Sequence, residues 1–205
     1  MIKKKGLLLV ISGPSGAGKG TVCKELLERN PEFKLSVSAT TRAPREGEVD
    51  GESYFFLTKE KFSEMIGQGG FLEYAQIYSN FYGTPKGPVM KYLEEGSDVI
   101  LEIEMQGARQ VKEMYPEAVL IFVLPPSLEE LRNRLTTRGT ETEEQVNERL
   151  STSLEEIKQV KDYNYFIFNE NNKTTESAKI IEDIIVAEKN KASRYEKAII
   201  KKSII

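Results

Sequence analysis

The residues best equipped for chemistry stand together near the amino terminus: Gly13, Pro14, Ser15, Gly16, Ala17, Gly18 and Lys19, followed by Gly20 and Thr21. They match the spacing G-x-x-x-x-G-K, with the apolar run Leu7 to Ser12 before and a helical pattern after. Glycines let the backbone turn its N–H groups inward around phosphate oxygens, the helix N-terminus adds positive potential, and Lys19 can reach terminal phosphates. The alternative is a plain glycine turn with a surface lysine, which the flanking strand and helix patterns disfavour. The spacing normally continues with a Ser or Thr whose hydroxyl binds Mg²⁺, and here that position is Gly20. Thr21 comes next, but a shift of one residue at a helix start turns the side chain by roughly 100°. Mg²⁺ is therefore expected to be held by phosphates and water more than by protein, which magnesium tolerates.

A second set of candidates lies between residues 36 and 87. Arg42 and Arg45 bracket a proline in "TTRAPREGE", and Tyr54, Glu73 and Tyr82 follow at turn or strand positions. Two fixed arginines suit a second phosphate by forked hydrogen bonding, and tyrosine hydroxyls can complete its shell; arginines in a loop can equally do no more than solvate it. Glu102 and Glu104 stand at i and i+2 in "ILEIE", so a strand there puts both on one face. A structural ion pair is their alternative reading.

Composition narrows the chemistry further. The 205 residues contain no histidine and no tryptophan, so any reaction rests on Lys, Arg, Asp, Glu, hydroxyls, backbone amides and a hard cation. Net charge is −3 with acids and bases interleaved, which lacks the basic stripe of a nucleic-acid binder. Cys23, the single cysteine, cannot form an internal disulfide and reads as a packed residue without a role. No apolar run approaches the ~18 residues of a membrane span. The basic Lys3 to Lys5 precede only "LLLVIS", short of a signal peptide. The expectation is a soluble cytoplasmic protein, monomer or homodimer, that binds neither nucleic acid nor membrane.

The elements that must position these residues are legible as alternating patterns. Apolar runs at Leu7 to Ser12, Val99 to Glu104, Ala118 to Leu124 and Tyr165 to Phe168, separated by helical stretches, predict an α/β fold with a mainly parallel core sheet flanked by helices. Ser127 with Glu130 and Thr142 with Gln145 fit the capping-box spacing, and Pro125-Pro126 closes the strand before the first. Residues 36–87 show aromatics, alternation and turn residues, and read as a small, mostly β insertion. The charged stretch 136–145 sits between two helices. Thr174 to Ile200 reads as one covering helix with Ala178, Ile181, Ile184 and Ile185 inward, and the final KKSII as a frayed end. One domain over 1–205 is expected, with core regions 1–35, 88–130 and 150–205, the insertion at 36–87 and a lid at 131–149.

Together "SGPSGAGKGT", "SVSATTRAPREGEVDGESYFF", "FLEYAQIYSNFYGT", "ILEIEMQGA" and "RLTTRGTETEEQVNERL" resemble the guanylate kinases, ATP-dependent enzymes that phosphorylate GMP. The resemblance runs from Leu7 to about Ile200 with the motifs in family order, and implies the P-loop nucleoside-monophosphate kinase fold. It implies that Gly13 to Thr21 and Asn169 bind ATP, and that Ser38, Arg42, Arg45, Tyr54, Glu73, Tyr82 and Thr84 line the GMP site. Arg42, Arg45, Tyr54 and Tyr82 would hold its phosphate and Glu73 its base. Guanine presents N1–H and the 2-amino group side by side, so one carboxylate can accept both, whereas adenine would set a lone pair against it. Members of the family often carry aspartate at one or both of the positions of Glu102 and Glu104; by the resemblance Glu104 is assigned to guanine and Glu102 to the water shell of Mg²⁺. Lys19, Arg134, Arg138 and Arg149 would neutralise the moving phosphoryl group, the arginines as part of a closing lid. Arg134 also lies four residues after Glu130, so a surface helix pair is its bland reading, as a turn is for Asn169 and a solvated strand carboxylate for Glu73. Other readings carried alongside are a non-catalytic guanylate-kinase-like binding module and a kinase for another nucleoside monophosphate.

Overall fold

Five apolar or small residues in an unbroken run, all buried, form the first strand, β1 (Leu8–Ser12). Burial on both faces is what a central parallel strand requires. In the computed structural model, which describes residues 5–136 and 142–203, the chain continues through α1 (Lys19–Arg29), β2 (Lys34–Leu35), β3 (Ala39–Thr40), β4 (Phe55–Phe56), α2 (Lys59–Gly67), β5 (Phe71–Ile77) and β6 (Asn80–Pro85). It then forms α3 (Lys86–Glu95), β7 (Val99–Glu102), α4 (Met105–Met114), β8 (Val119–Leu124), α5 (Leu128–Thr136), α6 (Glu143–Ile157), β9 (Tyr165–Phe168), α7 (Thr174–Lys189) and α8 (Glu196–Ser203).

The core sheet has the order β2-β7-β1-β8-β9 and is parallel throughout, with Ile11 opposite Glu102 on one side and Ser12 opposite Phe122 on the other. Strand alternation divides β1 between two cores. Leu9 and Ile11 pack with Val22 and Leu26 of α1 and Ile181 and Ile185 of α7. Leu8 and Val10 pack with Val89 and Leu93 of α3 and Ala108 and Val111 of α4. Each such fully buried side chain contributes about 1.5–3 kcal/mol of transfer free energy. Helices on both faces fix the carboxyl ends of the strands, and β1, flanked by strands reached in opposite directions, opens a crevice there.

Residues between β2 and α3 build a second sheet, β4-β3-β6-β5, in which only the β3–β4 pair is parallel. The region expected to be mostly β also contains α2. Thr58 caps it by accepting from the Lys61 N–H, and Phe62 is fully buried between the rings of Phe71, at 4.3 Å, and Phe81, at 5.5 Å. Phe62 and Ile66 at i and i+4 carried that helical signal.

At the carboxyl end the single expected helix is two. Helix α7 stops at Lys189, and α8 runs on through Ser203, into the stretch expected to fray. The break is held by buried Glu188, which accepts from Tyr165, Lys191 and Arg194 and folds the chain back before α8. Both capping spacings operate: the Glu130 N–H donates to Ser127, and Thr142 and Gln145 form a reciprocal box. Among the described residues no helix is long and apolar enough to cross a membrane.

Candidate functional site

The glycine-rich loop leaves β1 at its carboxyl end and enters α1 at Lys19. At Gly13, φ is +150° and a Cβ would run into the Val123 carbonyl oxygen; at Gly18, φ is +88° and a Cβ would run into the Asn169 side-chain amide. Larger residues are excluded at both positions by backbone conformation and by space. Lys19 curls back over the loop, its Nζ donating to the Gly13 carbonyl at 2.6 Å and lying 3.9 Å from Glu104. The first N–H groups of α1 have no intrahelical partners, so loop and helix start together present donors and a cation to one spot.

One side of the loop opens on a cleft of about 450 Å³ bordered by Gly16, Gly18, Thr21, Arg134, Asn169 and Thr174. Arg134 makes the expected helix pair with Glu130 at 2.9 Å and does more: it donates to the carbonyls of Ala17 and Asn169 and to Asn171 Oδ1. Asn169 is likewise more than a turn former. Its Nδ2 donates to the Ala17 carbonyl at 3.0 Å, while its buried Oδ1 has no partner among the described residues. An orphaned acceptor at a cleft wall is an available contact for a ligand N–H. Arg149 of α6 reaches the loop from above, donating to Ser15 Oγ at 2.5 Å. Arg138 lies outside the described residues.

At the third edge stand Gly20 and two carboxylates. A Cβ at Gly20 would meet Glu102 Oε1 at 3.4 Å, so the position of the usual hydroxyl faces a carboxylate directly. Glu102 and Glu104 do not share a strand face as expected. Strand β7 ends at Glu102 because its partner β1 turns away at Gly13, and Glu104 becomes the N-cap residue of α4. Glu104 is 70% exposed and Glu102 projects beside Lys19. The Glu102 carboxyl is pushed up by the part packed out of water, Glu104 adding to the rise and Lys19 opposing it. Glu156 of α6 completes this corner, held near the Ser15 backbone N–H with Glu104 and Lys19 close by.

The second sheet carries the remaining candidates. Ser38, Tyr54, Thr84 and Glu102 line one cavity of about 520 Å³. Thr84, buried on β6, donates from Oγ1 to Glu73 Oε1 on β5 at 2.6 Å. Glu73 is only 8% exposed, and burial pushes its carboxyl up against the opposing pull of Thr84. Helix α4 packs so tightly on it that a Cβ at Gly107 would stand 2.8 Å from Glu73 Oε2. Tyr54 and Tyr82 meet edge to face at 6.2 Å, and the Arg42 guanidinium lies 5.5 Å from the Tyr54 ring centre. Arg42 does not merely solvate its loop: it pairs with Glu48 through both Nη atoms, at 3.0 and 2.8 Å. The Arg45 backbone N–H also donates to Glu48, while Arg45 itself is exposed. Glu48, Glu156 and Gly107 escaped the sequence reading. For Glu48 the usable signal was a carboxylate between two arginines and the next turn.

Cys23 is buried in the core against α7, and burial raises its thiol far above the ordinary range, which leaves it inert.

Known proteins resemble this chain in sequence and in fold. A sequence model of the guanylate kinase family matches residues 5–188. Guanylate kinase of Clostridioides difficile (strain 630) is 69% identical over 202 residues, 98% of each chain. That of Caldanaerobacter subterraneus subsp. tengcongensis is 55% identical over 193 residues, 94% of this chain and 93% of its own. The crystal structure of guanylate kinase from Anaplasma phagocytophilum matches with a TM-score of 0.71 at 36% identity, over 93% of this chain and 89% of that one. Identity of this degree along nearly the whole length leaves one ancestry for loop, insertion and capping helices alike: the chain belongs to the guanylate kinase family.

Proposed function

We infer that this chain transfers the γ-phosphate of ATP to GMP, giving ADP and GDP, with ATP gripped by the loop and GMP by the second sheet. The observation that carries the choice of acceptor is Glu73: a buried carboxylate that accepts from Thr84, which itself lines the cavity with Ser38 and Tyr54. An ionised carboxylate only accepts, so it suits the paired N–H donors of guanine and mismatches the N1 acceptor of adenine by ~1–3 kcal/mol, as in base discrimination elsewhere.

Arg42 and Arg45 with Tyr54 and Tyr82 hold the GMP phosphate, and Glu104, the N-cap residue of α4 beside Lys19, is assigned to the base. One oxygen of that phosphate attacks the γ-phosphorus in line, and the bond to the oxygen bridging to the β-phosphorus breaks. The attacking phosphate is already anionic, so a histidine base is not needed in a chain that has none. Lys19 and the loop amides stabilise the charge that spreads over the moving group, and Arg149 approaches over Ser15. Arg138 is assigned to the same task from the segment outside the described residues, and Arg134 holds the loop against Asn169 at the adenine side. Closing α5 and α6 over the site excludes water that would otherwise hydrolyse ATP.

The corner at Gly20 would offer Mg²⁺ the Glu102 carboxylate where the usual hydroxyl is missing. Among the described residues no group of three or more His, Cys, Asp or Glu side chains could hold a metal ion. The Glu102 carboxylate facing Gly20 is a ligand of the kind that reaches Mg²⁺ through water while nucleotide phosphates supply the direct bonds. When bound, Mg²⁺ neutralises phosphate charge. A buried single cysteine and small-molecule substrates fit a cytoplasmic enzyme.

The test is a coupled assay of ADP release with ATP, Mg²⁺ and GMP, set against AMP, UMP and dTMP. Turnover with GMP alone is expected; no turnover would leave a binding module, and AMP as the better substrate would overturn the reading of Glu73.

A further inference from the structure

The ion pair between Arg42 and Glu48 poses a question that the phosphate-binding role of Arg42 does not answer. A carboxylate already sits on the arginine that is to receive a phosphate, at 2.8 Å and 3.0 Å. Either Glu48 blocks the substrate or it prepares the site.

The donor count decides between them. A guanidinium has five N–H donors in a fixed plane. Arg42 commits three of them: Nη1 donates to the Ala43 carbonyl at 2.7 Å and to Glu48 Oε2, and Nη2 donates to Glu48 Oε1. Neither Glu48 nor Ala43 takes Nε–H or the second Nη2–H, the fork along the other edge of the plane, and the Tyr82 hydroxyl, itself assigned to the phosphate site, also bonds the guanidinium. A planar two-donor fork is the geometry that matches two phosphate oxygens. Glu48 thus occupies the end of the guanidinium and leaves its side edge whole.

The same carboxylate also reaches the second arginine's backbone. Oε2 accepts from the Arg45 N–H at 2.7 Å, so the turn Arg42 to Glu48 is tied at both ends by one side chain. Stacking against the rings of Tyr54 and Phe56, at 5.5 and 5.9 Å, sets the remaining orientation of Arg42. Free arginine side chains lose substantial rotamer entropy when they bind. A brace that holds the guanidinium in its binding orientation removes that loss from the binding step. It also places one negative charge between two positive ones, easing their mutual repulsion in the empty site.

We propose that Glu48 is a positioning residue for GMP: it holds the side-edge fork of Arg42, and the loop carrying Arg45, ready for the phosphate. The proposal rests on the reading that Arg42 binds that phosphate. The Glu48 carboxyl is held below its ordinary value, chiefly by Arg42 and next by the Arg45 backbone, so the brace stays ionised through the neutral range.

Steady-state kinetics of Glu48→Gln test it, with Glu48→Asp and Arg42→Ala alongside. Glutamine keeps the size but offers an N–H₂ where the arginine needs an acceptor. The KM for GMP should rise roughly tenfold, with kcat and the KM for ATP within about twofold, since one charge-assisted pair is worth about this much. Binding of guanosine, which has no phosphate, should be unchanged in Glu48→Gln, whereas a collapsed insertion would weaken guanosine as well. Glu48→Asp, which keeps the charge, should recover part of the loss and reports on the brace even where the glutamine variant folds poorly. A fall in the KM for GMP would overturn the proposal and make Glu48 a competitor of the phosphate. An unchanged KM in Glu48→Gln with a raised one in Arg42→Ala would dismiss the brace and spare the arginine; unchanged values in both would remove the arginine's role and the proposal with it.

Discussion

The two sites proposed for nucleotides are built by opposite means. The loop at 13–19 is contiguous, built on a strand buried on both faces, and its donors are backbone amides closed over by one lysine. The second site draws side chains from the loop between β3 and β4 and from β5 and β6, held by an ion pair, a threonine and ring contacts, with Gly107 of α4 packed against Glu73. A backbone site is specified by conformation, so glycine positions matter and most side chains do not; a side-chain site is specified by identity, so single polar substitutions alter it. On the proposed reading the loop recognises a phosphate chain, and the second sheet recognises which molecule receives the phosphate.

The strongest test of this contrast is the one side chain on which the loop depends. Lys19→Met should lower kcat by at least about 10²-fold, the scale of losing one charge-stabilising donor in a reacting site. The fold should survive by circular dichroism, because the Lys19 amine bonds the Gly13 and Pro14 carbonyls and lies near exposed Glu104, with no core group among these partners. GMP binding by calorimetry should be unchanged. A variant that turns over at the wild-type rate would remove the lysine from the mechanism and make the loop purely a backbone device.

On the other side, Glu73→Gln should raise the KM for GMP about 10- to 100-fold, the ~1–3 kcal/mol of a forked base contact, and leave ATP binding alone. The glutamine can still accept from Thr84, so the local structure has a partner for that hydroxyl. Unchanged GMP affinity in titration calorimetry would end the base assignment. The same carboxyl sets a pH dependence. Burial raises its pKa above the ordinary value of about 4.3, and only the ionised form accepts both guanine N–H groups. GMP affinity should thus fall as pH drops through that raised pKa. The titration of the GMP phosphate near pH ~6 is common to both proteins, so the ratio of wild-type to Glu73→Gln affinity isolates the carboxyl. That ratio should narrow toward acid; a constant ratio would place the raised pKa on a group that does not touch the base.

The contrast between the sites also governs how much of each could be read in the sequence. The loop was legible because its signal is local: a strand, seven residues and a helix start. The parallel core followed from apolar runs that needed no knowledge of strand order. Glu104 was misplaced because "EIE" has strand periodicity, while what ends β7 is the departure of β1 at Gly13, a tertiary event. Helix α2 hid among aromatics that serve β strands equally well, and the end of α7 depends on a buried glutamate meeting Arg194 and Tyr165. Glu48 was passed over as a brace since a charged residue in a charged loop looks solvated. Its bonds to the Arg42 guanidinium and the Arg45 backbone show otherwise.

The smallest expected effect concerns Gly20, where the loop departs from its usual sequence. In Gly20→Ser the new Cβ would lie 3.4 Å from Glu102 Oε1, ordinary contact that needs no rearrangement. The hydroxyl has the Glu102 carboxylate as its immediate acceptor. Serine is also the better helix residue by a few tenths of a kcal/mol, about 0.5, so thermal stability should be equal or slightly higher. Turnover should stay within about threefold and the Mg²⁺ concentration for half-maximal rate should shift only a few-fold, because phosphates and water supply most of the coordination. Titration of Mg²⁺ at fixed ATP decides the point. A gain of tenfold or more in apparent Mg²⁺ affinity would show that a protein hydroxyl contributes substantially once present, and that the glycine weakens metal binding. A shift of a few-fold places metal binding with the nucleotide, as expected of a loop that works through its backbone, with Glu102 in the place where other loops of this kind put a side-chain oxygen.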